Sequence, residues 1–129
     1  MVGKALFLTP DDKYIECVCL CGYREAFEPP PHIFKEKDID HRPAATACDH
    51  VSKLLDWLDT VNLTAIYESD VKVILADYQL EDTLQNREAM NDVLPSIESI
   101  NDDFDYYRGA WSRVLALCHS HPAAKICMC

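Results

Sequence analysis

The chain has 129 residues, 49% of them apolar and 26% charged, which fits a single soluble domain that buries its own core. Twenty-two Asp and Glu stand against twelve Lys and Arg, a formal net charge of −10. Such a field repels nucleic acid and anionic membranes and draws in basic proteins, so neither a nucleic-acid partner nor a membrane partner is expected.

At the N-terminus the apolar run Ala5-Leu6-Phe7-Leu8 is too short for a signal-peptide core. Position 2 is Val2 rather than the Gly that myristoylation needs, and the fourth position from the end is Ile126 rather than a prenylated Cys. The expected location is the cytoplasm. There the seven cysteines read as mostly reduced thiols, and the Asn62-Leu63-Thr64 sequon carries no meaning.

Residues 4–9 and 13–21 are β-prone runs separated by Pro10-Asp11-Asp12, whose turn chemistry predicts an N-terminal hairpin over residues 4–21. In the second run Ile15, Cys17, Cys19 and Cys21 form an apolar or thiol face, expected to be packed, and Tyr14, Glu16, Val18 and Leu20 form a mixed one. Residues 22–42 hold Pro29-Pro30-Pro31 and the mixed charges Lys35-Glu36-Lys37-Asp38 without periodicity. They read as a connector, with a third strand at 23–27 as the alternative.

From Pro43 the period changes to that of helices. Ala44, Ala47, Cys48, Val51, Leu54, Leu55 and Leu58 share one face of a predicted helix over 43–60, with Asp49, Lys53 and Asp56 opposite. A second helix is predicted over 69–93, capped by Ser69, with Val71, Ile74, Leu75, Tyr78, Ala89 and Val93 toward the core and Pro95 ending it. A third, over 102–119, sets Phe104, Tyr107, Trp111, Leu115 and Cys118 on one face and Tyr106, Ala110 and Leu117 on another, as in a central helix. Gly109 inside it predicts close approach of another backbone. Residues 122–129 read as a loose tail. The resulting fold class is α+β: one domain, 1–129, with a hairpin followed by about three helices.

The most informative feature is a row of acids. Asp70, Asp77, Glu81, Glu88 and Asp92 are separated by seven, four, seven and four residues. On a continuous helix, at about 100° per residue, they fall within a wedge of roughly 60°. Asp70 at the helix start is also favoured by the helix dipole. The like-charged pairs Asp77/Glu81 and Glu88/Asp92 cost a few tenths of a kcal/mol each, which points to a use beyond solvation. Asp102, Asp103 and Asp105, with Tyr106, are expected to extend the same surface.

Catalytic motifs are scarce. Gly3, Gly22 and Gly109 are the only glycines, so neither a dinucleotide fingerprint nor a phosphate-binding loop can be assembled. Cys118 with His50 or His121 is a formal nucleophile–base pair, with no sequence signal that the two meet. Cys118, His121, Cys127 and Cys129 are the candidate metal ligands, but they lack the usual two-residue knuckle. Buried small side chains in the strand and at Cys118 are the plainer reading. His32 and His41, in the connector, are expected to face water.

These features favour a small non-catalytic binding protein without cofactor, which inhibits a basic partner such as a nuclease toxin or a nucleic-acid-binding enzyme. The acids would pair with the cations that otherwise hold phosphates, around a Tyr or Trp anchor. In size, acidity and lack of catalytic motif the chain resembles immunity proteins and phage anti-defence proteins, DNA mimics included, as a class; no residue role is carried over. The alternatives are a metal- or thiol-dependent protein using the Cys and His residues, or a structural subunit of a larger assembly.

Overall fold

The computed structural model describes residues 3–129. Met1 and Val2, the latter at the position that myristoylation would require to be Gly, lie outside the described residues. The fold is α+β, as expected, with an N-terminal hairpin, a third strand and four helices. The residues group into two compact units, Met1–Val61 with Asp103–Cys129, and Asn62–Asp102.

In the first unit, strands β1 (Lys4–Leu8) and β2 (Tyr14–Cys19) form the hairpin. Asp12 closes the turn with φ 66°, a left-handed conformation that Asp tolerates, and its amide donates to the Thr9 carbonyl at 2.9 Å. The third strand is β3 (Lys125–Met128), which pairs antiparallel with β1 to give the order β2-β1-β3. One sequence expectation changes here: the 122–129 segment holds a strand rather than a loose tail. Residues 23–27, for which a strand was the alternative to a connector, hold a 3₁₀ turn, Glu25–Phe27. A four-residue run, Lys125-Ile126-Cys127-Met128, is too short for periodicity to single out, and its pairing comes from the far end of the chain.

The sheet packs on the face opposite to the one predicted. Ala5, Phe7, Val18 and Ile126 are buried, whereas Cys17 and Cys19 are exposed. Period 2 separates the faces but does not choose between them, and a row of thiols is apolar enough to mislead.

Helix α1 (Ala44–Leu58) matches its sequence pattern and buries Ala44, Ala47, Val51, Leu54, Leu55 and Leu58. The connector does more than cross the surface. It buries Phe27, Phe34 and Ile39, with Phe27 stacked on Tyr107 and Phe34 edge-on to Trp111 at a centroid distance of 5.3 Å. Those partners lie on α4 (Ile97–Ser120), which starts five residues earlier than predicted. Ser96 accepts the Ser99 amide at 3.1 Å in the manner of an N-cap, and Pro95 stands just before it. In α4 the buried positions Tyr107, Trp111, Val114 and Cys118 form one stripe joined by Leu117, while Tyr106 is 71% exposed. Gly109 meets nothing within 4 Å of an added Cβ, so the expected close approach is not there. It occurs instead at Gly22, with φ +82°, where a Cβ would lie 2.2 Å from the Asp103 carbonyl oxygen. Only glycine fits that position.

In the second unit the predicted 69–93 helix is two helices. Helix α2 (Leu63–Asp77) is capped by Asn62, whose side chain accepts the Ala65 amide at 3.0 Å. The asparagine of the sequon is thus a helix cap, and Ser69 lies inside the helix. Helix α2 closes at Tyr78 and Gln79, where Gln79 takes φ 57°. Its amide donates to Ala76 at 2.9 Å and the Leu80 amide to Leu75 at 2.9 Å, the paired bonds of a left-handed helix end. Such ends usually carry Gly or Asn, and Gln79 gave no signal. Helix α3 (Leu84–Ala89) then starts from Thr83, which accepts the Asn86 amide at 3.1 Å.

Candidate functional site

Breaking the helix dismantles the stripe. Asp70 and Asp77 are on α2, Glu81 is in the following loop, Glu88 is on α3 and Asp92 follows it. The 60° wedge and the like-charge penalties assumed a continuous helix, and neither survives. Asp70 sits in the middle of α2 rather than at its start, away from the positive end of the helix dipole that was expected to favour it. Asp77, by contrast, is the last residue of α2, where the helix dipole disfavours a carboxylate.

Arg87 organises the unit. From α3 its guanidinium donates to Glu68 on α2 and to Asp82 in the loop, each at 2.7 Å. Its hydrogen bonds hold both carboxyls below their ordinary range. This fork closes the turn between the helices and neutralises two acids that lie outside the predicted stripe. An i, i+5 Asp–Arg pair that straddles a loop carries no helical signature.

Asp77, Glu81, Glu88 and Asp92 are exposed, and no side-chain hydrogen bond or ion pair is seen for them among the described residues. Asp102, also exposed, ends this unit. Between Asn62 and Asp102 there are nine Asp or Glu against two Lys or Arg, a net charge of −7 in 41 residues. Large apolar side chains are exposed in the same stretch: Val73, Tyr78, Leu80, Leu84 and Val93, with Leu84 at 74%. Tyr78 and Val93 had been expected in the core. Buried apolar side chains are few here, namely Val71, Leu75 and Ile100.

The rest of the predicted surface divides differently. Asp103 is half-buried and holds Arg24, with N–O distances of 2.6 and 2.7 Å. It therefore ties the connector to α4 instead of facing a partner. Asp105 and Tyr106 are exposed and belong to the first unit with Asp103.

The Cys and His residues do not gather as proposed. Cys118 is fully buried, and burial first, then Cys48 beside it, pushes its thiol up to about 12. His121 is exposed beyond α4, Cys127 is half-buried on β3 and Cys129 is exposed. No group of three or more His, Cys, Asp or Glu able to hold a metal ion occurs among the described residues. The thiol–imidazole neighbours are other pairs: Cys48 Sγ with His119 Nδ1 at 3.9 Å, and Cys127 Sγ with His41 Nδ1 at 3.8 Å. His50 approaches Asp38 at 3.9 Å. Cys17, Cys48, Cys118, Cys127 and Cys129 are free, while Cys19 and Cys21 are joined as a disulfide. His32 and His41 are exposed, as expected.

No family model matches the chain, and no curated protein or solved structure is similar to it. Among the described residues no helix is long and apolar enough to cross a membrane.

Proposed function

We propose that the chain is a small cytoplasmic, non-catalytic binding protein that inhibits a basic partner protein through the segment Asn62–Asp102. The observation that carries this reading is the coincidence, in one short unit, of a net charge of −7 and five exposed large apolar side chains. Acids alone keep a surface wet, and exposed apolar groups alone invite aggregation. Together they match the composition of a recognition surface, where charge steers the encounter and apolar or aromatic anchors supply the holding energy. Tyr78 and Leu84 are the natural anchors, and Asp77, Glu81, Glu88 and Asp92 the steering charges.

Asp77 adds weight. A carboxylate on the last residue of a helix opposes the dipole by a few tenths of a kcal/mol, a standing cost that a basic partner would turn into a gain. The mechanism is occlusion: carboxylates take the place of phosphates on the Lys and Arg of a nuclease or other nucleic-acid-binding surface, in the manner of an immunity protein, an anti-defence protein or a DNA mimic.

The reading is tested by capture on immobilised chain at low salt, elution in a salt gradient, and assay of the eluted protein. A basic protein released by salt, whose nuclease or nucleic-acid-binding activity falls stoichiometrically on adding the chain, is the expected result. A partner indifferent to salt, or one bound without loss of activity, contradicts it.

A further inference from the structure

The open face of the sheet, in the first unit, collects thiols. With Ala5, Phe7, Val18 and Ile126 turned into the core, the alternate positions Lys4, Leu6, Cys17, Cys19, Cys127 and Cys129 fall on the other side. The register sets them in two rows across the strands. Leu6 stands between Cys17 and Cys127, and Lys4 stands between Cys19 and Cys129. Lys4 exchanges both main-chain hydrogen bonds with Cys129, at 3.0 Å each. Lys4 and Cys19 are therefore a non-hydrogen-bonded pair, the arrangement that brings opposite side chains closest. Cys17, Cys19, Cys21 and Cys129 are exposed, so packing does not account for them. The Cys19–Cys21 bond also adds little to the fold. It closes a ring of three residues, where restriction of the unfolded chain is least. The segment is pinned without it: Leu20, between the two, is buried and its amide donates to the Gly3 carbonyl at 2.9 Å, while Gly22 backs onto the Asp103 carbonyl.

We propose that Cys19 and Cys21 form a thiol–disulfide exchange site, which cycles between disulfide and dithiol by reaction with a small thiol of the glutathione class. A thiolate of that class attacks the Cys21 sulfur. A new sulfur–sulfur bond forms there, the Cys19–Cys21 bond breaks, and its electron pair leaves on Cys19 as a thiolate opposite the Lys4 ammonium. A second small thiolate then attacks the small-molecule sulfur of this mixed disulfide and releases the Cys21 thiolate with a small disulfide. Two small thiols thereby lose two electrons and two protons, and the protein pair gains them. Cys21 is the sulfur attacked because the leaving thiolate is then the one with a cation across from it. The reverse sequence, with the small disulfide as oxidant, closes the bond again. The inference is independent of the acidic-segment reading, since it uses none of that segment's residues.

The whole chain is equilibrated without oxygen in mixtures of reduced and oxidised glutathione, quenched in acid, alkylated, and mapped by mass spectrometry. At about 5 mM total glutathione, Cys19 and Cys21 are expected to pass from disulfide to dithiol as the reduced to oxidised ratio rises to about 100:1, and to close again when the ratio is reversed. Reduction should lower the melting temperature by no more than about 5 °C. Lys4→Gln, at an exposed strand position where the fold is not at risk, should slow reduction by glutathione about threefold, because the leaving thiolate loses its cation. Cys17→Ser, which removes the free thiol two residues away on the same face, should leave the midpoint of the titration within twofold. A bond that stays closed across the whole series, or whose reduction unfolds the chain, is a structural disulfide and overturns the proposal. An unchanged rate in Lys4→Gln overturns the assignment of Cys19 as the leaving group, and a large shift of midpoint in Cys17→Ser overturns the assignment of the pair.

Discussion

The two units of this molecule use the same kinds of residue in opposite ways. The first, Met1–Val61 with Asp103–Cys129, holds twenty of the twenty-three buried apolar residues among the described ones, and its charge is nearly balanced, thirteen acids against ten Lys and Arg. The second, Asn62–Asp102, holds the other three and leaves in water five of the seven large apolar side chains exposed among the described residues, under a charge of −7. The first unit is built for stability, with Phe7, Leu54, Trp111 and Ile126 each at 0 or 1% exposure. The second commits its apolar side chains to the surface, which makes sense where a partner supplies the missing cover.

The sharpest way to break this contrast is to truncate one apolar side chain in each unit. Phe7→Ala, in the central strand, should cost about 3–5 kcal/mol, while Leu84→Ala should cost less than about 0.5 kcal/mol. Denaturant titration measures both, and similar losses would remove the basis for treating the second unit as a surface. Next in size is Gly22→Ala. With φ +82° and a Cβ placed 2.2 Å from the Asp103 oxygen, it should lose about 2 kcal/mol or more by the same titration.

The Arg87 fork predicts a pH dependence. Glu68 and Asp82 titrate below their ordinary range because Arg87 hydrogen-bonds their charged forms. Their contribution is therefore present above the usual carboxylate pKa, near 4, and is lost as pH falls through their depressed values. Arg87→Met should flatten the acid limb of a plot of stability against pH between about 5 and 2 and leave its alkaline side unchanged. A parallel acid limb in the variant would show that the fork does not hold the helices. The smallest effects are gains. Gly109→Ala, in open space on α4, and Gln79→Gly, at the left-handed end of α2, should each add about 0.5–1 kcal/mol to the melting stability.

Much of the fold was legible where local chemistry and long-range packing agree. The hairpin around Pro10-Asp11-Asp12 and the α1 face from Ala44 to Leu58 were both readable, because turn residues and a 3.6-residue period act within a few positions. What escaped depended on distant partners or atypical residues. The strand Lys125–Met128 is defined by β1, 120 residues away, and the connector earns its place in the core by touching Tyr107 and Trp111. The end of α2 was hidden because Gln79 occupies a position that usually announces itself as Gly or Asn. That one residue separated the acidic stripe into α2, a loop and α3. The candidate acids were found, but not their arrangement, and the exposed apolar partners Val73, Leu80 and Leu84 were missed because a helix read as continuous drew attention to its core side alone.

The central claim is that the second unit is the recognition surface, and a matched pair of charge reversals tests it most directly against the captured partner. Glu81→Lys with Glu88→Lys alters the second unit, and Asp49→Lys with Asp56→Lys makes the same change on the exposed side of α1. At low salt the first pair should weaken binding about a hundredfold and flatten its salt dependence, while the second pair leaves affinity within about threefold of the original. Equal losses from both pairs, or none from the first, would contradict the account.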